Sequence, residues 1–132
     1  RWGRRYGGVR RSRLRQVLNN LIANGLEAVE GVPGGRVTVQ TEMKSGPKGN
    51  SAVIMVTDNG NGFRPELLAR VFEPYVTSKP KGTGLDLAIV KKIADEHCGS
   101  IEADNRPEGG AYVRVVLPLA VQEGAQPARD IA

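Results

Sequence analysis

The sequence predicts an α/β (α+β) two-layer sandwich, with a mixed, largely antiparallel sheet covered on one face by helices. Two periodicities carry that expectation. Apolar residues recur every three or four positions over 12 to 30 and over 84 to 97, the spacing of amphipathic helices. They alternate one in two over 37 to 43 and 111 to 117, the spacing of strands with one buried face. Between these lies AVIMVTD, apolar on both faces, which reads as a central strand. Helices and strands are segregated along the chain, as in a two-layer fold.

At 132 residues and 39% hydrophobic content, the chain has room for one domain with a two-layer core. The expected division is a basic arm or linker at 1–11, a globular unit at 12–119 and a polar, aperiodic, disordered tail at 120–132. A lone cysteine, Cys98, excludes an internal disulfide framework and a multi-cysteine zinc site, and points to a reducing, cytoplasmic setting. No apolar run approaches the roughly 20 residues of a membrane helix, so the chain is expected to be soluble, without a visible targeting segment. A parent protein anchored in the inner membrane is compatible with that expectation.

The net charge of +5 is local. Residues 1 to 15 hold seven arginines and no acid, which leaves twelve of the nineteen bases facing fourteen acids. With Trp2 and Tyr6 in it, this arm could grip phosphates or stack on bases, or it could be a solvated linker. No nucleic-acid-reading module follows it, so no nucleic-acid partner is expected.

In chain order, the helix at 12–30 carries Leu14, Val17, Leu18, Leu21, Ile22 and Val29 on one stripe, with Ser12 as its cap and Gly31 as its stop. Another face carries Gln16, Asn20, Asn24 and Glu27. Asparagine is a poor helix former, yet Asn19, Asn20 and Asn24 all occur here, and an amide oxygen can hold magnesium beside phosphates without adding charge. Val37, Val39, Thr41 and Met43 form a half-exposed strand. It is joined to the central strand as an antiparallel hairpin through a long loop, KSGPKGNS. A short helix opens at Pro65 and runs to 71. Strands begin at Ile101 and Ala111, separated by a turn at Asn105–Gly110, and Pro118 stops the last of them.

Three stretches are candidates for chemistry. In DNGNGF, the central strand delivers Asp58 to its end, and Gly60 and Gly62 let the backbone turn tightly; a plain β-turn and a ligand pocket both fit. FEPYVTSKPKGTG is long and aperiodic, as a lid over a ligand would be. GTGLDLAIVKKIADEH runs a glycine-rich loop into a helix. That junction aims backbone N–H groups and the positive end of a helix dipole at one point, which suits phosphate, although a turn and cap read the same way.

Taken in order, NLIANGLEA, DNGNGF, VFEPY, GTGLDLA and EHCGSI resemble the asparagine, first glycine, phenylalanine and second glycine boxes of the ATP-binding domain of sensor histidine kinases, over residues 12 to 119. FEPYVTSKPKGTGL is similar to their nitrogen-regulation branch. The resemblance implies ATP and Mg2+ as cofactors. It implies Asn24 as the magnesium ligand, Asn20 as phosphate support, Asp58 as acceptor for the adenine amino group, and Gly60 and Gly62 as shapers of the adenine pocket. Phe72 and Tyr75 would anchor a lid, Lys79 and Lys81 would meet phosphate, and Gly82, Thr83, Gly84 and Leu85 would line it. Where the family favours alanine the chain has Gly25, and where it favours glycine the chain has Asp86 and Cys98. His97 matches a helix-end histidine rather than a phosphoacceptor.

No histidine followed by an acid on a dimerisation helix is visible in the chain. The resemblance therefore implies the catalytic part of a two-component kinase, transferring the γ-phosphoryl group of ATP to a histidine on a separate dimerisation domain and serving a response regulator. On its own, the part is expected to be inactive for lack of that acceptor. The alternative is a nucleotide-binding or docking module whose ATP use is impaired by Asp86.

Overall fold

The computed structural model describes residues 10–47, 49–76 and 84–119. In chain order these form α1 (Arg11–Ala28), β1 (Val37–Gly46), β2 (Gly49–Asp58), one helical turn α2 (Pro65–Leu68), α3 (Asp86–Glu96), β3 (Ser100–Asn105) and β4 (Ala111–Pro118). The four strands make one sheet in the order β1-β2-β4-β3, and every ladder is antiparallel. Residues 1–9 of the expected arm at 1–11 and the tail at 120–132 lie outside the described residues, and Arg11 already belongs to α1.

Register explains the core. Ile54 pairs with Val115, which pairs with Ile101; Val56 pairs with Val113, which pairs with Ala103. Because side chains alternate across a strand, these rows share one face, and that face meets Val17 and Leu21 of α1 and Leu87, Val90 and Ile93 of α3. Val17, Val90, Val115 and Leu117 are completely buried. Each such side chain contributes roughly 1.5 to 3 kcal/mol relative to exposure.

That packing outweighs a poor local start to α1. Its N-cap is Arg10, not Ser12; no side chain caps it, and its first turn holds no acid. A missing cap costs about 1 kcal/mol, less than one buried core residue contributes. At the other end the helix stops at Ala28 with Val29 as its C-cap, short of the expected end at 30, and Gly31, at φ +77°, lies in the turn beyond. Gly25 is buried, and a β-carbon there would lie 3.0 Å from Val37 Cγ1, so the glycine lets α1 settle closely on β1.

Three expectations are corrected. The link between the first two strands is a tight hairpin, since pairing continues to Gly46↔Gly49. Its polar residues carry no hydrophobic period, but their backbones pair equally well. β1 is exposed along almost its whole length, with Val39 at 41% and Met43 at 62%, because it is an edge strand and the helices cover only its Val37 end. The helix opened by Pro65 ends at Leu68, and turns follow where it was expected to continue.

α3 closes with a Schellman motif. The Gly99 N–H donates to Ala94 O at 2.8 Å and the Cys98 N–H to Asp95 O at 3.3 Å. His97 is the C-cap residue, and its Nδ1 lies 2.8 Å from Ile93 O. The motif requires a left-handed residue after the cap, and here that residue is Cys98, at φ +59°. Cys98→Gly should therefore raise stability by about 0.5 to 1 kcal/mol, or roughly 2 to 5 °C in Tm, once the left-handed strain relieved is set against glycine's entropy. Thermal unfolding followed by circular dichroism checks this, and an unchanged or lower Tm would show that Cys98 bears no strain.

Candidate functional site

The end of β2 holds the one buried charged residue among the described residues. Asp58 is 4% exposed. Its Oδ1 accepts from the Gly60 N–H at 2.9 Å and from the Ala111 N–H at 3.3 Å. Its Oδ2 has no hydrogen-bond partner among the described residues. A buried carboxylate oxygen left in that state is costly unless a donor reaches it.

The loop after Asp58 is tied on three sides. Asn59 accepts from the Arg36 N–H at 2.7 Å and donates to Gly34 O at 3.0 Å, fastening the loop to the entry of β1. Gly60 presses on the C-terminal end of α1; a β-carbon there would stand 2.1 Å from Ala28 O, so no other residue fits without moving the helix. Gly62 has φ +76° and lies against Asn105. The loop thus joins α1, the sheet and the β3–β4 hairpin.

A cleft opens between α1, this loop and the start of α3, lined by Asn24, Glu27, Gly62, Phe63, Gly84 and Asp86 among others. The Asn24 side chain is half-buried and makes no hydrogen bond to another described residue. One turn earlier, Asn20 Nδ2 lies 3.4 Å from Asp86 O, a weak tie from α1 to α3. Leu85 is the N-cap residue of α3, and Asp86 occupies its first turn. Phe72 is partly buried against the core. Tyr75 differs from the expected anchor: its ring is 76% exposed, and its backbone makes the attachment, the N–H donating to Gly84 O at 3.0 Å. Lys79, Lys81, Gly82 and Thr83 lie outside the described residues.

The residues singled out in the sequence do not all line one cavity. Asn24, Gly62, Gly84 and Asp86 meet in the cleft. Asp58, which follows Ile54 and Val56 on the helix-covered face of β2, is not among them; its end of the strand borders a second hollow with Arg36, Thr57, Asn59 and Arg106. Sequence reading missed the residues that hold it there. The Arg106 Nη1 donates to Asp58 O at 3.0 Å, while its Nη2 pairs with Glu108 at 2.8 Å. Glu108's own backbone N–H, together with that ion pair, holds the Glu108 carboxyl below its usual range. Only the glycines around the turn hinted at so crowded a junction.

Among the described residues, no group of three or more His, Cys, Asp or Glu side chains could hold a metal, and no helix is long and apolar enough to cross a membrane. A metal at the cleft would therefore rely on few protein ligands, as magnesium does beside phosphates.

Comparison with known proteins gives the same picture as the geometry. Residues 9–121 match the family described as histidine kinase-, DNA gyrase B- and HSP90-like ATPases. The nitrogen regulation protein NtrY of Azorhizobium caulinodans is 45% identical over 108 residues, which cover 77% of this chain and 14% of that protein. An NtrY-like sensor histidine kinase of Rickettsia conorii is 40% identical over 108 residues, covering 82% of this chain and 17% of that protein. The chain thus spans less than a fifth of the length of these two relatives. The solved, nucleotide-free catalytic domain of histidine kinase ThkA superposes with a TM-score of 0.68 at 34% identity, over 84% of this chain and 70% of that one. The chain belongs to the histidine kinase-, DNA gyrase B- and HSP90-like ATPase family, as a domain of the histidine kinase type with relatives in the NtrY branch.

Proposed function

We propose that the chain is the ATP-binding catalytic domain of a two-component sensor histidine kinase. It would transfer the γ-phosphoryl group of Mg-ATP to a histidine on a separate dimerisation domain of a membrane-anchored parent, which then serves a response regulator. The observation that carries this reading is Asp58, a buried carboxylate with one oxygen held by two backbone N–H groups and the other without a donor among the described residues. The amino group of adenine is a donor of the kind that Oδ2 needs, whereas guanine presents a carbonyl at the same position.

The remaining residues divide the work by position. Gly60 and Gly62 keep the loop close enough for a flat base to approach Asp58. Asn24, with no hydrogen-bond partner among the described residues, would hold Mg2+, which when bound offsets charge on the triphosphate. Asn20 would support the phosphates from the same helix. Gly82, Thr83, Gly84 and Leu85 lead into α3, whose N-terminus favours anions, and Lys79 and Lys81 would bring cations to them from the lid; Phe72 would seat the base of that lid. The protein's share of phosphoryl transfer is thus positioning and electrostatics.

The position of Asp86 on the cleft gives the second reading some support, namely a module that retains the fold but uses ATP poorly. In the first turn of α3 an acid gains about 0.3 to 1 kcal/mol from the helix dipole. A carboxylate about 4 Å from one phosphate charge would cost on the order of 4 kcal/mol at an effective dielectric of 20. The balance favours a stable helix and weak nucleotide binding.

Calorimetric titration of the chain with Mg-ATP should show saturable binding; none at millimolar nucleotide would end the nucleotide reading. Asp58→Asn should keep the fold, since an amide oxygen can still accept from Gly60 and Ala111, and should weaken ATP binding by roughly 10- to 100-fold. Equal affinity in parent and variant removes Asp58 from the site. Asp86→Gly should tighten ATP binding roughly tenfold at low salt, with a smaller gain at high salt and a slightly lower Tm. An unchanged affinity would mean that the Asp86 carboxylate does not face the phosphates.

A further inference from the structure

Asn105, the last residue of β3, belongs to none of the asparagine, glycine or phenylalanine boxes, yet its side chain grips the middle of the site. Its Oδ1 accepts from the Phe63 N–H at 2.6 Å, and its Nδ2 donates to the Phe63 C=O at 2.9 Å. One amide thus occupies both polar groups of one backbone unit, as a neighbouring strand would. Phe63 lies in a stretch without regular structure, residues 59 to 64, and it lines the cleft together with Asn24. The demand for glycine at position 62 has the same origin, since a β-carbon there would lie 2.8 Å from Asn105 Oδ1. The next residue, Arg106, holds the Asp58 carbonyl at 3.0 Å. Two consecutive residues of the β3–β4 hairpin therefore fix both ends of the Asp58–Phe63 loop.

We infer that Asn105 is a positioning residue for base recognition: by clasping Phe63 it sets where a base rests relative to Asp58, and so sets the preference for adenine over guanine nucleotides without touching the nucleotide. This rests on the reading of the cleft as a nucleotide site. Hydrogen bonds weaken steeply with distance and angle, so a small displacement of the loop degrades the directional bond between base and Asp58. Phosphate and metal contacts come from α1 and the approach to α3, which Asn105 does not hold. Loss of the clasp is therefore a loss of selectivity first.

The test compares Mg-ATP and Mg-GTP affinities by calorimetry for the full chain, Asn105→Ala, Asn105→Asp and, as a reference, Asn24→Ala. The parent should prefer ATP. Asn105→Ala should weaken ATP by about tenfold and GTP far less, so that the preference collapses. Asn105→Asp keeps the acceptor for the Phe63 N–H but sets an oxygen against its C=O, and should lose part of the preference. Asn24→Ala should weaken both nucleotides alike and leave the ratio unchanged. If Asn105→Ala keeps the parent's ratio, or lowers both affinities equally as Asn24→Ala does, the positioning role is overturned and Asn105 is only a structural tie. Should the alanine chain fail to fold, the aspartate variant decides: an unchanged ratio overturns the role and a reduced one supports it. A parent that binds neither nucleotide, or both alike, overturns the adenine-site reading and the inference with it. A selective parent with an equally selective Asn105→Ala chain overturns the inference alone.

Discussion

A carboxylate buried at the end of a central strand is the constraint around which this fold is arranged. Burying an ionised group costs several kcal/mol unless hydrogen bonds replace the lost water. Asp58 obtains its replacements from the backbone: the Gly60 N–H from the loop that follows it and the Ala111 N–H from the first residue of β4. Both donors must come very near. Gly110, just before β4, passes so close that a β-carbon would lie 2.0 Å from Asp58 O, and Gly60 is wedged between Asp58 and Ala28. The small residues here follow from the need to surround one acid with peptide groups.

The two-layer frame keeps that arrangement fixed while leaving its mouth adaptable. The rows Ile54–Val115–Ile101 and Val56–Val113–Ala103 lock the three strands that matter for Asp58, and α1 and α3 cover those rows. The cleft walls are the ends of these elements, not their middles. Glu27 and Asp86 face a common space with Asn24 there, so the mouth has an acidic component near the place where the α3 dipole favours an anion. Fold stability and ligand electrostatics are thus set by different residues, and one can change without the other.

Hydrophobic patterning revealed most of the elements, but not how far each extends or is covered. α1, α3 and β4 could be placed because their apolar residues repeat at 3.6 or 2, and β2 because it is apolar on both faces. The far half of β1 pairs through polar residues up to Gly46 and Gly49, and backbone pairing leaves no mark on hydropathy. The exposure of Val39 and Met43 was hidden for a related reason: alternation shows that a strand has two faces, but not whether a helix reaches the apolar one. In the site, Asp58 and the glycines could be picked out from composition and order. Asn105 and Arg106 could not, because each is one polar residue at a hairpin, and their partners lie 42 and 48 positions away. Long-range bonds from single side chains to backbone have no period and no local signature.

The bond between the Tyr75 N–H and Gly84 O closes the chain on itself at the edge of the cleft. It holds together two residues nine positions apart, one of them on the approach to α3. The entropy of closing a loop grows only with the logarithm of its length, about 0.6 kcal/mol for each doubling. On closure entropy alone, a change in the number of residues between Tyr75 and Gly84 costs little, while these two keep the same separation.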